Sequence, residues 1–476
     1  MKKIVLENII FNVLKTCFTI VYPVVTFVYV TRIISVAGLG QVSFVKNFAS
    51  YFCLAASLGI TYYGTREGAK VKKDRLAFSK LFWEIVFINI ISTLLSFISY
   101  FILIYTIPNL SDYKELLFLN SVSIILCGLS CEWVLAAHER FKFIAIRTMA
   151  VQIICLLLLF FLVRTNEDVL LYATLLVISG YGVNIFNWIY LMNTKVVSTY
   201  PFSQLSFISH LKPILMMFAM LVAIDLYTLL DTTMLGFIKG DYSVGLYTAA
   251  IKIPRLTNSM IAAVGVVLVP RLSYYFEEDK KRFYDLVNYA MRFVFLCSLP
   301  LSIFVCGMSD EIIEIVCGKD FIGAVPTLRI LTPLMLVIPI SVLFNNQIFI
   351  PMRKEKYVLH SVLLGAFINL MLNSLLIPLY AEQGAAISSV FAEIAVMIVC
   401  LYYVKKELKI RGVFKNYANN FVVIVPLVVV MLVFKMIIDD KVSRLVLSVI
   451  FSILVFILCR KKEMLNLGVL SLLKKR

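Results

Sequence analysis

Seven basic residues of this 476-residue chain fall inside long apolar runs: Lys15, Lys46, Lys252, Arg255, Arg292, Arg329 and Lys435. A cation at mid-helix in hydrocarbon costs about 2.5–3.5 kcal/mol, so it needs a counter-charge, a wetted cavity or a nearby helix end. Lys435 and Arg329 stand near the ends of their runs and read as snorkelling side chains. Lys15 and Arg292 lie further in. Lys252 and Arg255 stand about 10 and 15 Å into theirs at 1.5 Å per residue. Three residues apart, they share one helix face, and Pro254 between them opens the backbone. Such a pair suits an anion, because a phosphate or pyrophosphate crossing hydrocarbon unaided faces a desolvation cost on the order of tens of kcal/mol. Arg32 closes the first run just before Ser-Val-Ala-Gly-Leu-Gly40. Arg32, Lys46, Lys252 and Arg255 are therefore the candidate substrate-binding cations. Acids within or near runs are Glu84, Glu132, Asp225, Asp231 and Glu393. Of these Glu132, Asp225 and Asp231 are candidates for ion coupling or gating. For Asp225, pairing with a buried cation is an equal reading.

The elements that hold these residues follow from composition. Hydrophobic residues make up 61% of the chain and charged residues 15%, with a mean hydropathy of +0.94. A soluble chain carries about 25% charged residues, so an ordinary soluble protein is excluded. Fourteen apolar runs, the first at about 9–31 and the last at about 443–459, each suffice for a spanning helix of about 20 residues. The expected fold is an all-α polytopic membrane protein with both termini cytoplasmic. The net charge of +17 would suggest nucleic acid in a soluble protein. Here about 31 of the 45 Lys and Arg fall in alternate, cytoplasmic segments and about 7 in outside loops, as the positive-inside rule requires. Nucleic acid is thereby removed as a partner. Ten cysteines sit almost wholly within apolar runs without a CxxC pair, and the three histidines do not build a metal site. Neither a His/Asp/Ser constellation nor a phosphate-cradling Gly loop stands out, and the outside loops are short. The chain reads as a non-enzyme without cofactor, driven by a coupling ion, H+ or Na+, rather than a nucleotide.

An internal repeat organises the spans. Gly40 is followed by Lys46 and by Arg66, 26 residues on; Gly245 is followed by Lys252 and by Arg271, again 26 residues on. The offset is 205. His138-Glu-Arg-Phe-Lys-Phe143 and Arg353-Lys-Glu-Lys-Tyr357 match at a similar offset. The repeat predicts a six-helix lobe over 1–200, a second over 201–410, and a helix pair with a basic cytoplasmic tail over 411–476. Parallel repeats of this kind are a transporter design, with the site between the halves and alternating access by rocking.

Several stretches resemble a family. Tyr22-Pro-Val-Val-Thr-Phe-Val-Tyr-Val-Thr-Arg32, Tyr63-Gly-Thr-Arg-Glu67, Glu132-Trp133 followed by His138-Glu-Arg-Phe-Lys-Phe143, Asp231-Thr-Thr-Met-Leu-Gly236, Val244-Gly-Leu-Tyr-Thr-Ala-Ala-Ile-Lys252, Pro270-Arg-Leu-Ser273 and Asn369-Leu-Met-Leu-Asn373 occur in the order seen in bacterial polysaccharide repeat-unit flippases. Val134-Leu-Ala-Ala137 replaces that family's aromatic-rich stretch. The family belongs to the multidrug/oligosaccharidyl-lipid/polysaccharide exporter superfamily. The resemblance covers about residues 5–410. It implies an inner-membrane protein that flips undecaprenyl-pyrophosphate-linked oligosaccharides to the outer leaflet for O-antigen, capsule or exopolysaccharide. It also implies work beside a polysaccharide polymerase and a chain-length regulator. Arg32 and Lys252 further resemble cavity cations of peptidoglycan-precursor flippases, with Lys252 standing where those usually have Arg. The competing expectations are a drug or metabolite antiporter of the same fold, which calls for an acid-rich cavity, and a non-transporting scaffold of polysaccharide assembly, which needs no deep charges.

Overall fold

A hydrocarbon interior offers the backbone no water, so each N–H and C=O must be bonded within its own segment, and helices satisfy that demand. The computed structural model describes residues 2–408 and 424–466, and all regular structure among them is helical. Lys409, Arg411, Lys415 and the chain beyond residue 466 lie outside the described residues, as do the side chains of Lys2, Lys3 and 460–462. Two compact units divide the chain, Met1–Gly245 and Leu246–Arg476.

The first unit contains α1 (Lys2–Val30), α2 (Val36–Ser57), α3 (Ile60–Val71), α4 (Arg75–Thr106), α5 (Lys114–Gly128), α6 (Glu132–Ala137), α7 (Phe141–Leu162), α8 (Val169–Val177), α9 (Val183–Thr194) and α10 (Ile208–Lys239). The first turn of α11 (Asp241–Glu278) also belongs to it. Helix α10, which the repeat assigns to the second lobe, packs against α2 and α3 here. Three of the continuous apolar runs are broken helices. The second breaks at Leu58 and Gly59, both at positive φ (46° and 70°), where a glycine carries no Cβ penalty. The carbonyl of Ala56 beside the break accepts from Asn89 Nδ2 at 2.6 Å and from Ser92 Oγ at 2.7 Å. The fourth run breaks between α5 and α6, so Cys127 and Cys131 stand on either side of the break. The sixth passes through a π turn at Ile178–Gly182.

The second unit continues α11 and adds α12 (Lys280–Gly307), α13 (Ser309–Cys317), α14 (Val325–Leu331), α15 (Leu334–Val342), α16 (Glu355–Leu408), α17 (Ile424–Ile437) and α18 (Lys441–Asn466). The tenth apolar run is bent by 49° between α14 and α15 and ends in a π segment, Leu343–Phe349. Pro333 and Pro339 have no N–H to donate, so the helix ladder loses a bond at each of them there. Helix α16 has 54 residues. At about 81 Å it is more than twice the thickness of a bilayer core of about 30 Å, so it holds two crossings. They are hinged at Ala381 (φ 49°, ψ −128°). Among the described residues, seven helical segments are long and apolar enough to cross a membrane, or eight with the bent pair counted as one.

The first turns of α2 and α11 meet backbone to backbone. A Cβ on Gly40 would stand 1.8 Å from the Asp241 carbonyl oxygen, and one on Gly245 would stand 2.0 Å from that of Val36. The contact is reciprocal: each glycine meets the carbonyl four residues before the other. These are the two glycines that begin the sequence repeat. A methyl at either forces the helices apart, an overpacking cost of about 1–3 kcal/mol. Gly40→Ala and Gly245→Ala should each lower the thermal midpoint of the purified protein, whereas Gly180→Ala, with nothing within 4 Å of the new Cβ, should not.

Candidate functional site

In the first unit the charges fall into distinct settings. Arg147, counted from sequence among the cytoplasmic loop cations, is instead buried at 6% exposure. Its Nη2 donates to Glu132 Oε2 at 2.5 Å and its Nη1 to the Val183 carbonyl at 3.1 Å. Lys15 Nζ reaches the other Glu132 oxygen at 3.4 Å. One carboxylate therefore ties α1, α6 and α7 together and carries the charge of two cations. Glu132, expected near a helix end, opens α6 in this role. Replacing Glu132 strands a buried guanidinium, and breaking such a pair from one side costs about 3–5 kcal/mol.

The candidate cations Arg32 and Lys46 are both exposed, Arg32 in the turn after α1 and Lys46 midway along α2. Asp231 is buried on α10. It acts electrostatically on Tyr51 of α2, whose hydroxyl bonds Thr233 at 3.1 Å. Asp225, two turns earlier on α10, lines a cavity of about 330 Å³ with Ser50, Ser57, Tyr181, Thr228 and the thiols of Cys53 and Cys127. Hydroxyls and one carboxylate in a cavity of that size suit a proton or a small hydrated cation.

A second buried carboxylate was named in the sequence, but its partners were not. Glu84 of α4 accepts from His210 Nε2 at 2.9 Å and from the Ser206 backbone N–H at 2.7 Å, and His210 Nδ1 lies 2.6 Å from the Tyr63 hydroxyl. The one available signal was that a chain with three histidines places one at the start of an apolar run.

In the second unit Lys252 is half-buried and Arg255 exposed on α11, with Pro254 between them. Polar groups deeper in the unit bond one another: Tyr247 to Ser389 at 3.0 Å, and Asn373 to Asn369 at 3.0 Å. A groove of about 280 Å³ between α12 and the α17–α18 hairpin is almost wholly apolar, lined by Pro300, Phe304, Leu427, Val449, Ile453 and Phe456 among others. The hairpin itself is held by ion pairs. Glu311, 1% exposed, receives Arg444 Nη1 at 2.9 Å and faces Lys435 at 3.7 Å. Glu314 pairs with Lys441, and Asp310 takes Arg329 at 2.5 Å and Lys435 at 3.5 Å. Asp440 begins α18, its carboxyl held below the usual range by the Ser443 hydroxyl and backbone N–H. Lys435 and Arg329, read as snorkelling, thus end on carboxylates.

A profile described as "Polysaccharide biosynthesis protein" matches residues 5–276. The "Putative O-antigen transporter" of Shigella dysenteriae is 24% identical over 388 residues, which are 81% of this chain and 96% of that protein. Among solved structures, the "Lipid II flippase MurJ, inward closed conformation" superposes with a TM-score of 0.76 at 15% identity, covering 96% of this chain and 99% of that one. The inward-facing structure of a multidrug resistance MATE family transporter of the MOP superfamily gives 0.62 at 14% identity over 82% of this chain and 96% of that one. The fold is therefore shared with transporters.

Glu132→Gln should lower the thermal midpoint sharply. A Glu132→Gln/Arg147→Met double variant should recover much of that loss, since the stranded cation goes with its partner.

Proposed function

The chain belongs to the polysaccharide biosynthesis protein family, and on that footing we propose that it moves lipid-linked oligosaccharide repeat units from the cytoplasmic to the outer leaflet. It is a multi-pass protein of the bacterial inner membrane. The family match carries this reading, and the O-antigen transporter named above supports the same class of cargo. The chemistry of the chain supports a lipid-pyrophosphate cargo in particular. An exposed cation in mid-span, such as Arg255 or Lys46, is too costly against lipid and belongs on a wetted surface. Lys252 and Arg255, with Arg32 and Lys46, supply positive charge for a pyrophosphate and for acidic sugars. The groove between α12 and the α17–α18 hairpin offers an apolar track for a polyisoprenoid chain, which gains about 0.8 kcal/mol for each methylene it keeps covered. Movement is by alternating access. A proton or sodium ion held at the Asp225 cavity supplies the drive, with Asp231 as a gating charge. A polymerase and a chain-length regulator take the product onward.

The reading is tested in cells that depend on this protein for surface polysaccharide, with all variants compared at equal protein level. Lys252→Ala/Arg255→Ala should reduce polysaccharide about tenfold or more, the loss of charge-assisted contacts worth about 1.5–3 kcal/mol each. Undiminished polysaccharide would remove these residues from the site. In proteoliposomes carrying a labelled lipid-linked sugar, Asp225→Asn should leave slow exchange but abolish acceleration by an imposed proton or sodium gradient. Acceleration equal to the wild type would place the coupling elsewhere.

A further inference from the structure

The connection from α9 to α10 is bound along one face of α4. Arg75 Nη2 donates to the Lys195 carbonyl at 2.8 Å, Ser198 N–H to Ser79 Oγ at 2.9 Å, Trp83 Nε1 to the Ser198 carbonyl at 3.0 Å, and Ser206 N–H to Glu84 Oε1 at 2.7 Å. Residues 75, 79 and 83 are spaced by one turn, so the strap follows a single stripe of the helix. Phe207 closes it by packing on Phe87, ring centroids 4.8 Å apart.

The strap ends in the first turn of α10 at His210, which sits between Glu84 and Tyr63. The Glu84 side chain is 5% exposed and that of His210 14%. Tyr63 belongs to an apolar cluster that includes Ile85, Leu81, Ile88 and Ile214. The nearest further charges on α3 are Arg66, 5.8 Å over the Tyr63 ring, and Glu67, which pairs with Arg66 and Lys70. On α10, Lys212 is exposed. Among the described residues, Glu84 is the one carboxylate in hydrogen-bond contact with the ring.

We infer that Tyr63, His210 and Glu84 form a proton-binding site whose occupancy sets how firmly the 195–207 strap and the start of α10 are held to α4. With His210 neutral, the Tyr63 hydroxyl donates to Nδ1 and Nε2–H donates to the Glu84 carboxylate. One proton taken from water onto Nδ1 turns that contact round, so that Nδ1–H donates to the Tyr63 oxygen. Nε2–H then meets Glu84 as an ion pair. Both ring nitrogens stay bonded in either state, so the site gains a charge without rearranging. What changes is the energy of Glu84. Beside a neutral ring it is a buried anion held by two neutral N–H donors; beside an imidazolium one of those donors carries the opposite charge. The strap is therefore tighter when the proton is bound and loosens as pH rises through the titration of His210.

The test uses the full chain in lipid nanodiscs. Imidazole NMR follows the three histidines, with His138→Gln and His360→Gln supplying the assignment. Hydrogen exchange, expressed as protection factors, follows amides 196–209. Measured from about pH 5.5 to 8.5, the His210 imidazole signal should change, and strap protection should fall about fivefold or more as the ring loses its proton. Glu84→Gln should move that change to lower pH. His210→Gln should make strap protection independent of pH. A His210 signal that stays constant across the range overturns the inference, and so does a His210→Gln strap that follows pH as the wild type does. The wild-type titration requires no variant of the triad, so a misfolded substitution leaves the inference open to refutation. No transport is measured, so its failure is separate from failure of the flippase reading.

Discussion

A medium without water dictates most of this molecule. Every polar group placed in it must bring its own partner, and the chain meets that demand at each level. Backbone groups are closed into helices. Where a helix breaks, as at Leu58 and Gly59, side chains of α4 donate to the buried Ala56 carbonyl beside the break. Hydroxyls fold back on carbonyls one turn earlier, as Thr26 on Tyr22 and Thr31 on Phe27. Charges arrive in sets, as Arg147 with Glu132 and Lys15. The cost of a lone charge in hydrocarbon explains why breaks and ionisable residues gather in the same few places.

Fold class was legible in the sequence because hydropathy along a membrane chain reports burial in lipid directly, and because basic residues are kept to one side. Arg147 shows what that signal omits. It lies at the edge of a run and reads as a loop cation, yet side-chain burial depends on which helix packs against it, and its partner is fifteen residues away beyond a break. Gly59 was hidden for the opposite reason, since an apolar run continues unchanged through a change of direction. Asp225 and Asp231 were found as acids, but the hydroxyls and thiols that line the Asp225 cavity come from α2, α5 and α10 and from the π turn between α8 and α9. Only tertiary packing assembles them. His210 was missed because its meaning lies in Tyr63 and Glu84, which are far from it in the chain.

The repeat has a physical expression. Val36–Gly40 and Asp241–Gly245 begin α2 and α11, and their carbonyls and glycines meet in the same way from both directions. A reciprocal contact of this kind uses one surface twice, as a two-fold interface does. Two glycines 205 residues apart in sequence thus share one constraint, the close approach of a backbone. The charges that follow them diverge: Lys46 and Lys252 come six and seven residues on, and Arg66 stands on α3 beyond the break whereas Arg271 stands on α11 itself.

The ion pairs that hold α17 and α18 to α13 give the hairpin an address. Apolar packing alone would accept any greasy hairpin of the right length, since one aliphatic surface is much like another. Arg444 against Glu311, Lys441 against Glu314 and Lys435 against Asp310 make the fit specific to this chain. A graft of this hairpin onto a relative's body must carry its acids with it, or the borrowed helices arrive with charges that nothing answers.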